Sequence, residues 1–288
     1  MMKRILNILI ACEESQAVCK AFRKLGHNAY SCDLLDCSGD HPEWHFNHDI
    51  TEVLNKTNLV LQNGEEAVIK GNWDLMIGHP PCTYLAVSGA QWYYHPEDKD
   101  LPVEKRRPHP KYPNRARDRE DAVKFFMSLA KAKIKRIAIE NPVGIMSNRW
   151  RKPDQKIQPY QFGDPYSKGT CLWLKNLWTL HPSKETNDHG EKVFFKSGKS
   201  QPKWYSEALK AKTPEERRTL RSKTFPGIAR AMAEQWSIQI ALEEDLLTDA
   251  ELKILGADYR TLNRLDDAQV QIIEKREQQL ISSWLKEG

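Results

Sequence analysis

The chain has 288 residues, of which 40% are apolar and 29% charged, with a formal net charge of +5 at pH 7. This is the composition of one large globular domain, or of a domain with a small appendage. No apolar run approaches the length that spans a membrane, and the N-terminal segment becomes polar too early for a secretory signal, so we expect a cytoplasmic protein. Six cysteines in a chain of this size indicate reduced thiols rather than a disulfide framework.

The first half of the chain alternates between predicted strands and helices. Strand-like segments are RILNILIAC, NAYSCDLLD, WDLMIG and RIAIENP, and helix-like segments are QAVCKAFRKLGH, a stretch reaching about Lys70, and DREDAVKFFMSLAKAK. Strands that alternate with helices predict an α/β fold with a doubly wound, mostly parallel sheet. Such sheets bind ligands at the carboxyl ends of their strands.

The remaining segments have a different character. Residues 94–119 are rich in Pro, Lys and Arg without a hydrophobic period, which predicts a long loop. Residues 151–221 are polar, aromatic and basic with short strand-like pieces, and the tail from about Leu246 has helical patterning. Helices in this tail would pack on the domain or pair two chains, so we expect a monomer or a weak dimer.

A cysteine follows two prolines where the strand WDLMIG ends. Pro80 and Pro81 cannot extend a ladder, and their stiffness would present Cys82 toward the ligand edge of the sheet. A buried structural cysteine is the commoner case in cytosolic proteins. A rigidly held thiol near a basic loop is, however, the setting in which a thiolate becomes reactive.

Two motifs carry a family resemblance. GHPPC and the later IENP, both at predicted strand ends, resemble the Gly-Gly-Pro-Pro-Cys and Glu-Asn-Val motifs of the cytosine-C5 DNA methyltransferases, especially small phage or prophage members. The resemblance implies a Rossmann-like S-adenosylmethionine-dependent methyltransferase fold. It divides the chain into a cofactor-binding and catalytic domain (1–150), a small target-recognition region (151–221), a last catalytic motif with its helix (222–243) and a C-terminal helical extension (244–288).

The resemblance also implies residue roles. Cys82 would add as a thiolate to C6 of cytosine, which makes C5 nucleophilic toward a methyl group. Glu140 would donate to N3, so we expect burial to raise its pKa, and Asn141 would support the loop. Since a base inside a duplex cannot reach the thiol, the cytosine of double-stranded DNA would be flipped out.

Basic residues after the nucleophile would face DNA phosphates, as in the mobile loop of the family. The family's Gln-Arg-Arg motif is not evident, and two lysines near its expected place would replace the arginines. The resulting DNA-binding set is Arg106, Arg107, Lys111, Arg115, Arg117, Arg119, Lys168 and Lys175.

The family binds S-adenosylmethionine with a glycine-rich loop after the first strand, whereas this chain has ACEESQ and no glycine there. Position still favours donor binding. Asp33 matches the acid that pairs with the ribose hydroxyls, and Asp49 with Ile50 resembles the pair that holds the adenine, although both acids could instead be strand-end caps. The predicted cofactor-binding set is Ala11, Cys12, Glu13, Glu14, Ser15, Asp33, Asp49, Ile50, Pro80 and Lys223.

Lys223 departs from the family pattern. In SKTFPGIARAMAEQW it stands where the last motif has asparagine, close to the donor's methionine end. A lysine there would repel the sulfonium but attract a carboxylate, as in carboxy-S-adenosylmethionine. A cytosine carboxymethyltransferase is therefore an alternative, although Lys223 could instead pair with an acid or a DNA phosphate.

Three other interpretations stay open. Amino-methyltransferases acting on adenine N6 or cytosine N4 need an aromatic ring after Pro-Pro, and Tyr84 keeps that class open. A non-catalytic DNA-binding relative would explain the altered donor loop. A zinc site would use spacings available in CDLLDCSGDHPEWHFNH, but no second Cys-rich half completes it, and we predict no metal. Its possible ligands are Cys32, Cys37, His41, His45 and His48.

Overall fold

A computed structural model describes residues 4–54, 58–182, 186, 188–222 and 224–244. Lys223 and the predicted C-terminal helices from residue 245 onward lie outside the described residues. Within the described part, no helix is both long enough and apolar enough to cross a membrane.

The strands alternate with short helices through the first half of the chain. The strands are β1 (Asn7–Ala11), β2 (Asn28–Asp33), β3 (His45–Asn47), β4 (Asn58–Val60), β5 (Glu66–Val68), β6 (Leu75–Gly78), β7 (Arg136–Pro142), β8 (Gln155–Ile157), β9 (Thr170–Lys175), β10 (Lys192–Phe194) and β11 (Ser200–Pro202). The helices are α1 (Ala17–Lys24), α2 (Ile50–Val53), α3 (Arg115–Ala130), α4 (Met146–Arg149), α5 (Lys203–Ala208), α6 (Pro214–Ser222) and α7 (Pro226–Glu243).

Seven strands form the central sheet in the order β3-β2-β1-β6-β7-β9-β8. The first five are parallel, β9 pairs antiparallel with β7, and the edge strand β8 pairs antiparallel with β9. The order reverses between β1 and β6, because the chain first builds outward through β2 and β3 and then returns to the other side of β1. This topology confirms the predicted mostly parallel α/β sheet and is compatible with a Rossmann-like fold.

Both faces of the sheet are covered. Ile8 and Ile10 point to the face on which α1 and α7 pack, whereas Leu9 and Ala11 point to the face covered by α3. This alternation follows from the two-residue period of a strand. Strands buried on both faces contain continuous apolar runs, which explains why RILNILIAC and WDLMIG were recognisable in the sequence.

Three features differ from the sequence expectations. The predicted helical stretch to about Lys70 is wrong: after the four-residue α2, the chain forms the β4–β5 hairpin. Helix α3 begins at Arg115, inside the segment predicted as loop. Strands β8 and β9 lie in the central sheet, so the predicted domain boundary at residue 151 falls within the sheet domain.

A buried arginine joins the last helix to the sheet. Arg136 at the start of β7 is fully buried, and its guanidinium donates to Glu243 at 2.6 Å and to Glu244 at 2.8 Å. Burial by itself raises the pKa of Glu244, but hydrogen bonds from Lys135 and Arg136 outweigh it and lower that pKa to about 2. The C-terminal end of α7 is therefore fixed at the edge of the sheet opposite the carboxyl ends of its parallel strands.

Arg136→Ala should lower the free energy of unfolding by about 3 kcal/mol, because it leaves two carboxylates without their buried partner. Urea denaturation followed by circular dichroism measures the change. Lys135→Ala is the matched control, since Lys135 also contacts Glu244 but is 60% exposed, and it should cost less than about 1 kcal/mol. Equal losses in the two variants would contradict the importance of burial.

Candidate functional site

The cysteine turn follows β6 at the centre of the sheet. His79 N donates to Ala11 O at 2.9 Å, which continues the pairing of β6 with β1 by one residue. The amides of Leu85 and Ala86 donate to Cys82 O at 3.0 and 2.9 Å, so the segment turns immediately after the thiol. Cys82 is partly buried. The prolines thus end the strand and place the thiol at its carboxyl end, where parallel sheets bind ligands.

A histidine and a glutamate connect the ends of β6 and β7. His79 Nδ1 donates to Glu140 Oε2 at 3.2 Å, and these side chains are only 8% and 12% exposed. Burial raises the pKa of Glu140, but the hydrogen bond from His79 and the charge of Lys168 outweigh burial, so the net shift is downward. The expected upward shift of the Glu140 pKa is wrong, because His79 and Lys168 counteract the effect of burial.

Asn141 holds the proline turn against β7. Its Nδ2 donates to Pro80 O at 2.7 Å, and both residues are buried. Neither Asn141 Oδ1 nor His79 Nε2 has a hydrogen-bond partner among the described residues, although both atoms are buried. An unsatisfied buried polar atom costs free energy, so these two atoms are available to accept or donate a hydrogen bond at this edge of the sheet.

The charges around Cys82 act in opposite directions. Burial and the neighbouring Glu140 raise the pKa of the thiol, whereas Lys168 and Arg221 lower it. The net direction is upward. Lys168, predicted as a DNA-binding residue, therefore lies close enough to influence both the thiol and Glu140. The sequence does not single out Arg221, because its approach to Cys82 depends on where the chain places α6.

The loop after β1 adopts a glycine-like conformation without glycine. Cys12 and Gln16 have φ values of 60° and 56°, which are uncommon for residues other than glycine. The Gln16 side chain donates to His41 O and accepts from His41 N, so tertiary contacts hold the left-handed turn. Side-chain hydrogen bonds thus hold Gln16 in a backbone conformation that glycine adopts more readily.

Two predicted donor-binding acids in this loop have structural partners. Glu13 is buried and accepts from the amides of Val18 and Cys19 at 2.7 and 3.2 Å, which caps the start of α1. Glu14 accepts from the Ser38 side chain, and its carbonyl accepts from Ser38 N. Ser15 is half-buried beside them. The carboxylates of Glu13 and Glu14 thus stabilise the conformation of the loop.

Asp33, the last residue of β2, and Asp49, which follows β3, both act on the Cys12 thiol. Burial raises the pKa of the Cys12 thiol, and both Asp33 and Asp49 raise it further by their charge. Asp33 accepts from Leu35 N at 3.0 Å, and burial raises its pKa. Asp49 is exposed and caps α2 by accepting from Thr51, whose hydrogen bonds lower its pKa, while the adjacent Ile50 is buried. Asp33 and Asp49 therefore both make the strand-end capping contacts that are the alternative to donor binding.

The segment after Cys82 is held in place by a buried arginine. Arg115 is 9% exposed, and its Nη2 donates to Thr83 O at 2.8 Å. Its guanidinium lies over the rings of three tyrosines at 5.1 to 5.9 Å, namely Tyr84, Tyr93 and Tyr112. Arg115, predicted to face phosphates, instead anchors the residue that follows Cys82.

The other predicted DNA-binding residues fall into different environments. Arg107 makes ion pairs with Asp98 and Glu97, and Arg119 lies over the Tyr93 ring at 4.4 Å. Arg106 donates to two carbonyls of its own loop. Lys111 is exposed, and the Arg117 side chain is 72% exposed.

Lys175 lies away from the site. It ends β9, which runs antiparallel to β7, and its Nζ donates to Ala132 O and Ile134 O at the opposite edge of the sheet. The sequence alone does not distinguish the position of Lys168 from that of Lys175, because it does not reveal the direction of β9.

The proposed zinc ligands do not converge. No group of three or more metal-ligating side chains occurs in the ranges that the structure describes. His45 contacts Ser31 and Leu35 O, His41 contacts Glu43, and Cys32 Sγ donates to a backbone carbonyl.

Charge changes near Cys82 should alter its alkylation rate in opposite directions. Lys168→Gln removes a positive charge, raises the thiol pKa and should slow alkylation about threefold or more below that pKa, while Glu140→Gln should accelerate it. The two rates should converge toward wild type as the pH rises above the thiol pKa. Peptide-resolved mass spectrometry after iodoacetamide treatment separates Cys82 from the other cysteines.

Lys156→Gln is the control for this experiment, because the charge of Lys156 acts on Cys171. It should leave the Cys82 rate unchanged. A change of the same sign in the Lys168 and Glu140 variants would refute the electrostatic description of the site.

Arg115→Ala should lower the free energy of unfolding by about 2 kcal/mol, because it removes three cation–π contacts and a buried hydrogen bond. Arg117→Ala, on the same helix and largely exposed, should change stability by less than about 0.5 kcal/mol. Urea denaturation measures both. Similar values would contradict the anchoring role of Arg115.

Comparison with known proteins adds no assignment to this geometry. No protein-family model matches the chain, and no curated protein is significantly similar to it. The function must therefore be inferred from the site itself: a partly buried thiol, a buried His–Glu pair and a lysine, beside a braced loop at the switch point of a parallel sheet.

Proposed function

We propose that the protein is a DNA cytosine-C5 alkyltransferase that transfers a methyl group from S-adenosylmethionine. The observation that carries the proposal is the meeting of Cys82 and Glu140 at the carboxyl ends of adjacent strands, close enough that Glu140 raises the pKa of the thiol. A nucleophile and an acid–base group side by side are the two groups that addition to a cytosine ring requires.

In the proposed reaction the Cys82 thiol first loses its proton, helped by the positive charges of Lys168 and Arg221. The Sγ atom then bonds to C6 of the flipped cytosine, and the electron pair of the C5–C6 double bond moves into the ring. A proton shared between Glu140 and N3 neutralises the ring charge. C5 would then take the methyl group as the bond between that group and the donor sulfur breaks, which leaves the donor as a neutral thioether. C5 loses its proton to water, N3 returns its proton to Glu140, and the C6–Sγ bond breaks to release the thiolate.

The resting charge of Glu140 suits this role. His79 and Lys168 hold it as a carboxylate before the base arrives. A cytosine that displaces water from the site would remove solvation from the carboxylate and favour proton uptake. His79 fixes the orientation of Glu140, and Asn141 fixes the Pro80 carbonyl.

The loop after β1 and the acids after β2 and β3 suit a donor that carries a ribose and an adenine. Asp33 would accept from the ribose hydroxyls, Ile50 would contact the adenine, and the Cys12 turn would lie beside them. S-adenosylmethionine would supply an electrophilic methyl group. Glu13 and Glu14 would act indirectly, because their carboxylates already brace the loop. Carboxy-S-adenosylmethionine is the alternative donor, and it rests on the sequence position of Lys223.

One observation weighs against the amino-methyltransferase alternative. The Tyr84 ring lies against the Arg115 guanidinium, and its carbonyl accepts from the Tyr93 hydroxyl. A ring held in this way is not presented for stacking on a target base. The thiol at position 82 therefore remains the reactive group next to Pro81.

Nucleoside mass spectrometry of duplex DNA incubated with the full-length protein tests the proposal. With S-adenosylmethionine the expected product is 5-methylcytosine. A parallel reaction contains carboxy-S-adenosylmethionine, and 5-carboxymethylcytosine forms there if the enzyme accepts that donor. Cys82→Ala should abolish both the product and the covalent complex on 5-fluorocytosine DNA. Glu140→Gln should slow transfer about 100-fold or more, the usual effect of losing a general acid or base.

Each alternative predicts a different result. N4-methylcytosine or N6-methyladenine would identify an amino-methyltransferase, and DNA binding without any product would identify a non-catalytic relative. Covalent trapping that survives Cys82→Ala would refute the assignment of the nucleophile. Cys171→Ala is a matched control, because Cys171 is buried in β9 and should not affect trapping.

A further inference from the structure

A histidine stands where the family motif has a glycine. The chain has GHPPC against Gly-Gly-Pro-Pro-Cys, so His79 adds an imidazole ring directly after β6. Its Nδ1 lies 3.2 Å from Glu140 Oε2, and the two side chains are only 8% and 12% exposed. The motif therefore does not account for this titratable ring, which is hydrogen-bonded to the candidate acid.

The proposed reaction needs a proton that Glu140 does not hold at rest. Burial by itself would raise the pKa of Glu140, but the hydrogen bond from His79 and the charge of Lys168 lower it, which favours the carboxylate. The Glu140 side chain is largely shielded from solvent, and a bound duplex would shield it further. Since bulk water has little access, a neighbouring group is the more direct source of the proton that reaches N3.

Three neighbouring groups carry exchangeable protons. Burial and the charge of Glu140 raise the pKa of the Cys82 thiol, which opposes loss of its proton. Lys168 acts on Glu140 through its charge, and an ammonium group keeps its proton until far above neutral pH. An imidazole ring exchanges its proton near neutral pH, and His79 is hydrogen-bonded to Glu140. His79 is therefore the best matched of the three.

The two nitrogens of the His79 ring have different surroundings. Nδ1 faces the Glu140 carboxylate, whereas Nε2 is buried without a hydrogen-bond partner in the part of the chain that the structure describes. Glu140 is thus the acceptor for the Nδ1 proton. The same contact serves both states, with the proton on Nδ1 before transfer and on Oε2 after it, so this step needs no movement of the ring.

A second buried carboxylate lies on the side of β6 that faces β1. His79 N donates to Ala11 O at 2.9 Å, which places the histidine beside the loop after β1. Glu13 of that loop is 4% exposed, and burial raises its pKa, while the charge of His79 is the strongest influence that opposes this rise. A positive ring is thus favourable to the carboxylates on both sides of it.

We propose that His79, as an imidazolium ion, supplies the proton that Glu140 donates to N3 of the cytosine. The inference rests on the proposed function. The Nδ1–H bond breaks as the Oε2–H bond forms, and the neutral ring keeps its other proton on Nε2. Glu140 passes the proton to N3 as Sγ of Cys82 adds to C6. After alkylation N3 returns the proton to Glu140, and Glu140 returns it to Nδ1, which restores the resting charges.

The pH dependence of single-turnover methyl transfer by the full-length protein tests the inference. His79→Gln keeps an N–H donor for Glu140 but cannot give up a proton, so transfer at about pH 7 should be about tenfold slower or more. The deficit should shrink as the pH falls, because solvent then protonates Glu140 directly. A histidine that only orients Glu140 would give no deficit or the same deficit at every pH, and either result would overturn the inference.

His41→Gln is the matched control for this experiment. His41 Nδ1 pairs with Glu43 Oε1 at 2.8 Å, but these side chains are 36% and 39% exposed. The variant makes the same change in a solvent-exposed His–Glu pair. It should leave both the transfer rate and its pH dependence as in wild type.

The charge of the ring can be measured without any reaction, by ¹⁵N NMR of the full-length protein with labelled histidine. The His79 signal, identified by its loss in His79→Gln, should show both ring nitrogens protonated near neutral pH. Glu140→Gln should reduce this doubly protonated fraction about threefold or more, because the ring loses the charge of its partner. This measurement on the wild-type ring decides the inference even if His79→Gln folds poorly.

The two measurements separate this inference from the proposed function. A neutral His79 ring in the pH range of fastest transfer would overturn the inference in a protein that does methylate cytosine. A protonated ring that responds to Glu140→Gln, in a protein that forms no modified cytosine, would uphold the His79–Glu140 proton pair and reject the alkyltransferase.

Discussion

The register of three parallel strands determines the whole candidate site. Gly78 of β6 lies between Ala11 of β1 and Ile139 of β7. The next residue is Cys12 after β1, His79 after β6 and Glu140 in β7, so these three residues lie together at the same edge of the sheet. Gly78 permits this close approach, because a Cβ there would lie 3.0 Å from Ile139 Cδ1 and 3.3 Å from Leu129 Cδ1. A shift of one residue in any of these strands would turn its functional side chain to the other face.

Charge balance is the second constraint on this edge. A thiol and a carboxylate that share a partly buried site raise each other's pKa, because their negative charges repel. A site containing only those two groups would therefore favour the neutral thiol. His79 compensates on the Glu140 side, and Lys168 acts on both groups. The chain thus supplies a hydrogen bond from the residue after β6 and a positive charge from the segment before β9, which are far apart in sequence.

The sequence predicted the sheet well because its central strands are buried on both faces and contain continuous apolar residues. The motif resemblance grouped Cys82 with Glu140 and Asn141, and it could do so because GHPPC and IENP both lie at the ends of recognisable strands. It could not predict the His79–Glu140 contact or the tyrosine cage of Arg115, because these depend on side-chain packing rather than on spacing. The arginines of residues 106–119 look alike in the sequence, but in the structure Arg115 is buried whereas Arg117 is exposed. Residues 58–68 were misassigned because short hairpin strands carry too few residues for a reliable period.

The antiparallel strands β8 and β9 connect the edge that carries Cys82 and Glu140 to the rest of the chain. Because β9 runs opposite to β7, its first residue, Thr170, pairs with Pro142 at the carboxyl end of β7. The segment just before β9 is therefore brought to the edge that carries Cys82 and Glu140, which explains why Lys168 acts there and Lys175 does not. The same segment accepts a hydrogen bond from Trp204 of α5 through Ser167 O. One reversal of chain direction thus places the charge of Lys168 beside both the thiol and the carboxylate, so the ionisation of the two groups depends on the position of one lysine.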